Sequence, residues 1–348
     1  MIRIMAAPKS AIFDAYFNSM YGMARLMQSR AAHSVFSMCV RKNQILFAFL
    51  VAVLTVGCRP TEMQNDTETS SSLITDALGR SFPTGKTYNN IITIAPGATE
   101  IVIAGGGQSR LIGISNVDSY PVEILDLPSF SVLPMDFEAI VALQPDLILA
   151  SSQVNDPKQV DMFGSLGLDV FYLDGSTWAG VYDSIAHVGQ LLGTTPAAGS
   201  SRAALQRNID HLTAITSKIE DKPTAVFLIS AEVNYSFGSG SYVQDILTWA
   251  GMESLTASFD TPAPNLSDEW VLMANPDVII GSFEEGTSAS TLLEHHPTWK
   301  GISAIKNNRV YSIEPNTILR PGPRNVEAAF EIARLAYPEL HTLVLDRP

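Results

Sequence analysis

Cysteine is nearly absent from this chain: its 348 residues include two, Cys39 and Cys58, and none follows them. A disulfide framework, a Cys-ligated zinc site and a cysteine nucleophile are therefore excluded beyond position 58. Positive charge is the second scarcity. The first 57 residues hold six Lys/Arg and one acid, so the 22 basic and 35 acidic side chains of the whole leave 16 against 34 in the rest, a net charge of −18. A body this acidic has no cationic stripe for a polyphosphate, which rules against sequence-independent nucleic-acid binding, and no basic face for anionic lipid headgroups. Catalytic signatures are missing too. Five residues separate Gly79 from Gly85-Lys86-Thr87 where a phosphate loop has four. Gly105-Gly106-Gly107 lacks dinucleotide spacing and reads as a helix stop. No Gly-x-Ser-x-Gly elbow occurs. Past the leader, His187 and His211 sit in helical patterns, His295 and His296 are adjacent, and His341 is near the end. No pair has strand-end metal-ligand spacing, so no metal site and surface positions for these histidines are expected.

What is present begins with an export pattern. From Met38 the chain runs Met-Cys-Val-Arg-Lys, then the apolar stretch Ile45 to Val56, then Gly57-Cys58. Twelve residues are too few to span a bilayer, and the positive-apolar-small order is that of a secretory signal. The ending Leu54-Thr55-Val56-Gly57-Cys58 resembles a bacterial lipobox, in which Cys58 carries the lipid and becomes the mature N-terminus. Ordinary secretory cleavage with Cys58 incidental is the alternative. Residues 1–37 add nothing to the signal, and Met38 is the expected translation start. The polar, aperiodic stretch after Cys58 reads as a flexible tether.

From Ile74 onward, short β-branched runs alternate with helical patterns. Strands are expected at Ile91–Ala95, Leu111–Ile114, Leu147–Ala150 and Val170–Leu173, then at Thr224–Ile229, Val278–Gly281 and Val310–Ile313. Helices are expected at Glu100–Ala104, Phe137–Leu143, Lys158–Leu166 and Val181–Leu192, then at Val243–Ala250, Asp268–Ala274 and Val326–Ala336. This alternation predicts parallel sheets covered on both faces. Between the two sets, Thr195-Pro196 opens a helix. Leu205, Ile209, Leu212, Ile215 and Ile219 line one face of it, and no proline interrupts before Pro223. About 25 helical residues would span roughly 37 Å. The expected fold is α/β: two Rossmann-like lobes joined by a single long helix, with a ligand cleft between them. The expected divisions are leader 1–57, tether 58–73, N-terminal lobe 74–194, spanning helix 195–222 and C-terminal lobe 223–348.

The lobes share a repeat. Asp136 to Leu149 aligns without gaps on Ser267 to Ile280 at an offset of 131, with Glu138/Glu269, Pro145/Pro276, Asp146/Asp277 and Ile148/Ile279 identical. Each copy predicts an N-capped helix, a Pro-Asp turn and a buried strand. An acid in a first helical turn complements the helix dipole by roughly 0.3–1 kcal/mol, which alone could account for Glu138 and Glu269. Two exposed carboxylates related by pseudo-twofold symmetry also suit a two-subunit partner with matched arginines.

The runs Ile91 to Ile101 (with Pro96, Thr99 and Glu100), Leu111 to Ser115, Tyr120-Pro121, Glu138 to Ile148, Asn275 to Ile280, Arg309-Val-Tyr311 and Arg320-Pro-Gly-Pro-Arg324 resemble the iron-siderophore/cobalamin family of ABC-transporter substrate-binding proteins. The resemblance covers about residues 74–340 in order. It implies a non-enzymatic lipoprotein, a monomer, that binds a metal chelate between its lobes, needs no cofactor and closes only slightly. It also implies that the protein serves a permease dimer with its ATPase subunits, docking through Glu138 and Glu269. Location at the periplasm or cell surface follows, with membrane contact through lipidated Cys58 only. In cobalamin-binding members, aromatic side chains grip the corrin from loops that here carry Val117, Val132 and Ala263; of these aromatics Phe237 alone remains. The resemblance places Arg320 and Thr99 toward the cleft, and Arg320 would meet an anionic ferric siderophore or haem, unless it is simply a surface arginine. Tyr235, Phe237 and Tyr242 offer flat faces for a chelate, although Tyr242 could equally be packing. Trp178, Trp249, Trp270 and Trp299 are expected in the core or between lobes. An iron complex is the expected ligand, with a corrinoid as alternative. A sensor domain of the same fold and a hydrolase are the rivals, the latter lacking any identifiable nucleophile.

Overall fold

The computed structural model describes residues 72–340 together with 342 and 344. The expected leader, Cys58 and the expected tether up to residue 71 lie outside the described residues, as does His341. The chain enters through β1 (Leu73–Thr75) and β2 (Ser81–Pro83), an antiparallel hairpin absent from the sequence-based expectation. The buried Asp76 carboxylate organises it, accepting the backbone N–H groups of Leu78 and Arg80, each at 2.9 Å, and pairing with the Arg80 guanidinium. Ala77 N–H donates to Tyr172 O, so the hairpin is pinned to the first lobe.

That lobe contains β3 (Ile91–Thr93), α1 (Pro96–Ala104), β4 (Leu111–Ser115), β5 (Ser129–Phe130), α2 (Phe137–Ala142), β6 (Leu147–Ser151), α3 (Pro157–Val160), α4 (Met162–Ser165), β7 (Asp169–Leu173) and α5 (Trp178–Leu192). Its strands form one sheet in the order β5-β4-β3-β6-β7, parallel throughout. The chain then runs through α6 (Thr195–Thr216) into β8 (Thr224–Leu228), α7 (Tyr242–Trp249), β9 (Glu253–Ser254), α8 (Asp268–Ala274), β10 (Val278–Gly281), α9 (Ala289–His295), α10 (Ser303–Lys306), β11 (Val310–Ser312), α11 (Pro315–Ile318) and α12 (Asn325–Ala336). The second sheet is also parallel, in the order β11-β10-β8-β9.

Side-chain alternation along the strands separates the cores. Leu147 and Leu149 of β6, with Ala225 and Phe227 of β8, join one cluster. Their neighbours Ile148 and Ala150 enter a second cluster on the other face of the first sheet, and Val226 and Leu228 a third on the other face of the second sheet. The first cluster is continuous across both lobes: Val102 of α1, Val188 of α5, Leu212 of α6, Leu247 of α7 and Phe330 of α12 all belong to it. Helix α6 packs on α1 and α5 of one lobe and on α7 and α12 of the other. Large hinge opening would tear this shared apolar layer, exposing area at about 25 cal/mol per Å². The geometry therefore favours small adjustments.

The element boundaries differ from expectation in physically simple ways. Helix α1 starts at Pro96 instead of Glu100, with proline in its first turn. The single helix expected at Lys158–Leu166 is two short ones meeting at Asp161. The spanning helix has 22 residues and ends at Thr216, whose hydroxyl donates to Trp249 O at 2.9 Å. Among the described residues no helix is long and apolar enough to cross a membrane.

Candidate ligand cleft and docking face

The repeat is realised as matching geometry at its key positions. Asp136 caps α2 by accepting Ala139 N–H at 3.0 Å, and Ser267 caps α8 by accepting Trp270 N–H at 3.1 Å. Each helix then stops at a left-handed residue, Gln144 (φ 51°) or Asn275 (φ 46°), directly before the proline. Each following aspartate reaches back to the start of the neighbouring strand, Asp146 accepting Asn89 N–H at 2.7 Å and Asp277 accepting Thr224 N–H at 3.0 Å. Buried, half-buried and exposed residues coincide position by position from 134 to 150 against 265 to 281. Glu138 and Glu269 both stand exposed in the first turns of these helices.

Between the lobes, the Arg320 to Arg324 segment makes the charged contacts that cross. Arg320 donates from Nη1 to Ser119 Oγ at 2.9 Å and from Nη2 to Val117 O at 2.8 Å, so a second-lobe cation reaches the loop after β4. That loop is braced by Asp118, whose Oδ2 accepts Ser115 N–H at 3.0 Å and Ser115 O–H at 2.6 Å. Burial pushes the Asp118 carboxyl up, against the pull of the Ser115 and Thr99 hydroxyls and of Arg320. The other end of the segment holds Arg324, which donates to the Glu100 carboxylate from Nε at 3.0 Å and from Nη2 at 2.6 Å. Burial raises the Glu100 carboxyl, and the Arg324 guanidinium opposes that rise. Asn325 fixes the turn between them, accepting Gly322 N–H and donating to Thr317 O and Arg320 O. Gly97 allows the approach, since a Cβ there would collide with the Pro321 carbonyl. A cavity of about 230 Å³ lined by Glu100, Asn208, Arg324 and Glu327 lies among α1, α6 and α12. It is smaller than the usual site for a drug-sized ligand, and it belongs to the helical side of the seam.

The expected ligand residues separate into two groups. Arg320 and Val117 are brought together across the seam, and Tyr235 is half-buried in a bridge with Asn265. Phe237 and Tyr242 are buried and pack edge-on against each other, ring centroids 5.8 Å apart, with Phe227 behind Phe237. Their flat faces are spent on the core, not presented to a chelate, and Tyr242 N–H donates to Ser176 O between the lobes. Val132 is buried as well. Thr99 is wholly enclosed, its hydroxyl 2.7 Å from that of Thr93, so it supports the Asp118 loop from beneath. Of the tryptophans, Trp178 meets Trp249 edge-on across the seam at 5.1 Å, and Trp299 is fully buried.

The histidines need one correction. His296 is buried, stacked on Trp299 at 4.1 Å, with its ring nitrogens facing Ala231 O and the Asp268 carboxylate. The turn between the end of α9 and Pro297 folds it inward, a placement invisible to ligand spacing. His187 and His211 are half-buried against Phe171 and Phe330, and His295 is exposed. Among the described residues no cluster of His, Cys, Asp or Glu could hold a metal ion. The Glu100–Arg324 pair, Asp118 and Ser119 carry no pattern in the sequence that marks them as functional. Glu100 and Arg324 lie 224 positions apart, and opposite charge at that separation carries no signal without the fold.

Two α/β lobes with a continuous helical layer, crossed by a cationic segment and carrying matched acids on each half, define a two-lobed binding protein. The periplasmic binding protein family matches residues 91–317, and the chain belongs to it. It is a binding protein and not an enzyme. It is 26% identical over 302 residues to the uncharacterized ABC transporter substrate-binding lipoprotein YvrC of Bacillus subtilis, covering 83% of this chain and 95% of that one. It is 29% identical over 246 residues to the vitamin B12-binding protein of Vibrio campbellii, covering 70% and 87%. Among solved structures, a possible iron-binding periplasmic solute-binding protein of Staphylococcus epidermidis superposes with a TM-score of 0.64 at 25% identity, over 72% of this chain and all of that one.

Proposed function

We propose that the chain is the substrate-binding component of an ABC importer. It works outside the cytoplasm, held at a membrane through lipid on Cys58, and delivers an iron complex, a ferric siderophore or haem, to a permease dimer driven by ATPase subunits. The observation that carries the ligand class is Arg320, which reaches from the second lobe to the loop bearing Val117 and Ser119. A cation poised between two walls complements an anionic chelate. Burial of Phe237 and Tyr242 withdraws aromatic faces from haem and corrin alike, so the choice rests on Arg320. Glu138 and Glu269, exposed at equivalent places, are the docking points for arginines on the two permease subunits.

A corrinoid is the second reading, favoured by the similarity to the vitamin B12-binding protein. Tryptophan-fluorescence titration separates the two, since Trp178 and Trp249 sit at the seam. Ferric siderophore or haem should bind more tightly than cobalamin. Cobalamin binding tighter than every iron chelate replaces the first reading with the second.

A further inference from the structure

The two docking helices present more than an acid. Three residues after Glu138 stands Val141, and three residues after Glu269 stands Leu272, again at the offset of 131. Positions three apart share a helix face, with Cβ atoms about 5–6 Å apart. Val141 is 38% exposed and Leu272 37%, although both helices bury the residue just before, Ile140 and Val271. Scattered exposed aliphatics need no explanation. Two of them at matched repeat positions, equally exposed and each one turn from a matched exposed glutamate, are a pattern. The repeated packing sets the matched exposure but not the choice of an aliphatic side chain, and neighbouring positions have changed freely: Ala139 corresponds to Trp270, and Ala142 to Met273, which is 85% exposed.

We infer that each lobe carries a two-point contact, Glu138 with Val141 and Glu269 with Leu272, and that the partner is the permease dimer. Each permease subunit then offers an arginine beside an apolar recess. This rests on the docking role proposed for the glutamates and extends it. Charge complementarity selects this occupant: the acids stand on a strongly acidic body, so a second copy of the chain would be repelled, whereas cationic subunits related by a twofold axis would meet both contacts at once. The two halves do different work. Exposed carboxylates steer encounter and set its salt dependence, while aliphatic groups withdrawn from water on contact slow dissociation. Met273 enlarges the apolar half on the second lobe, so that lobe contributes the longer-lived grip.

The experiment compares V141S/L272S with E138Q/E269Q in the full chain. Association and dissociation with the permease–ATPase complex in lipid nanodiscs are followed by biolayer interferometry at low and physiological salt, and unaltered circular dichroism melts exclude misfolding. The expected result is dissociation about tenfold faster for V141S/L272S, as withdrawal of two aliphatic groups from a buried contact implies, with association and its salt slope unchanged. E138Q/E269Q should instead slow association and flatten the salt slope. If V141S/L272S dissociates like the parent while E138Q/E269Q is impaired, the apolar half is refuted and the glutamate docking stands. If neither pair changes binding, docking by this face is refuted altogether.

Discussion

Arg324 and Glu100 join the two lobes through a bidentate ion pair whose side chains are 11% and 4% exposed. Buried charge of this kind is tolerated only while both partners remain. Removing one leaves the other desolvated and unpaired, at about 3–5 kcal/mol, whereas replacing both with apolar groups of similar size is often near neutral. E100Q and R324M should each lower stability strongly, and E100L/R324M should recover much of the loss. Urea unfolding midpoints check this; a double variant as unstable as the singles would show that the seam needs the charges themselves.

Gly97→Ala tests the close approach of the lobes. The added methyl meets the Pro321 backbone, which cannot rotate away as a side chain would. Overpacking of this sort costs about 1–3 kcal/mol. Because Pro321 follows Arg320, ligand affinity should fall with stability, as paired thermal-melt and titration measurements would reveal.

Arg320→Ala should weaken binding of an anionic iron chelate at least tenfold, the order of a lost charged hydrogen bond of about 1.5–3 kcal/mol. A neutral corrinoid should bind almost as before. Equal losses for both ligands in fluorescence titration would make Arg320 a structural brace for the Val117–Ser119 loop instead.

Gln144 and Asn275 occupy the same left-handed place in the repeat, but asparagine suits it better than glutamine. Gln144→Gly should raise stability by up to about 1 kcal/mol by relieving that strain. Asn275→Gly should gain less, and chemical denaturation of both variants checks the difference.

Cys58→Ser should move the protein from the membrane fraction to the soluble one after cell fractionation. Unchanged membrane association would refute the lipid anchor.

Much of the fold was legible because its strands are buried on both faces and its helices on one. Ile91–Thr93, Leu147–Ser151 and Val278–Gly281 emerge as β-branched or aliphatic runs, and the repeat at offset 131 is visible as letters before it is visible as geometry. What escaped were elements too short to show a period. The Leu73–Pro83 hairpin and the two-residue strands at Ser129 and Glu253 are held by long-range partners such as Tyr172 and Ala225, not by their own patterning.

The amino-acid sequence alone determined the alternation of strand and helix, the acidity of the body and the pair of matched glutamates, because periodicity, charge and internal repetition are properties of the chain itself. Only the tertiary structure decided which aromatic rings were consumed by the core, as with Phe237 and Tyr242, and which charges met across the seam, as with Arg324 and Glu100. Burial and long-range pairing depend on how distant segments pack, and no local pattern encodes what lies opposite.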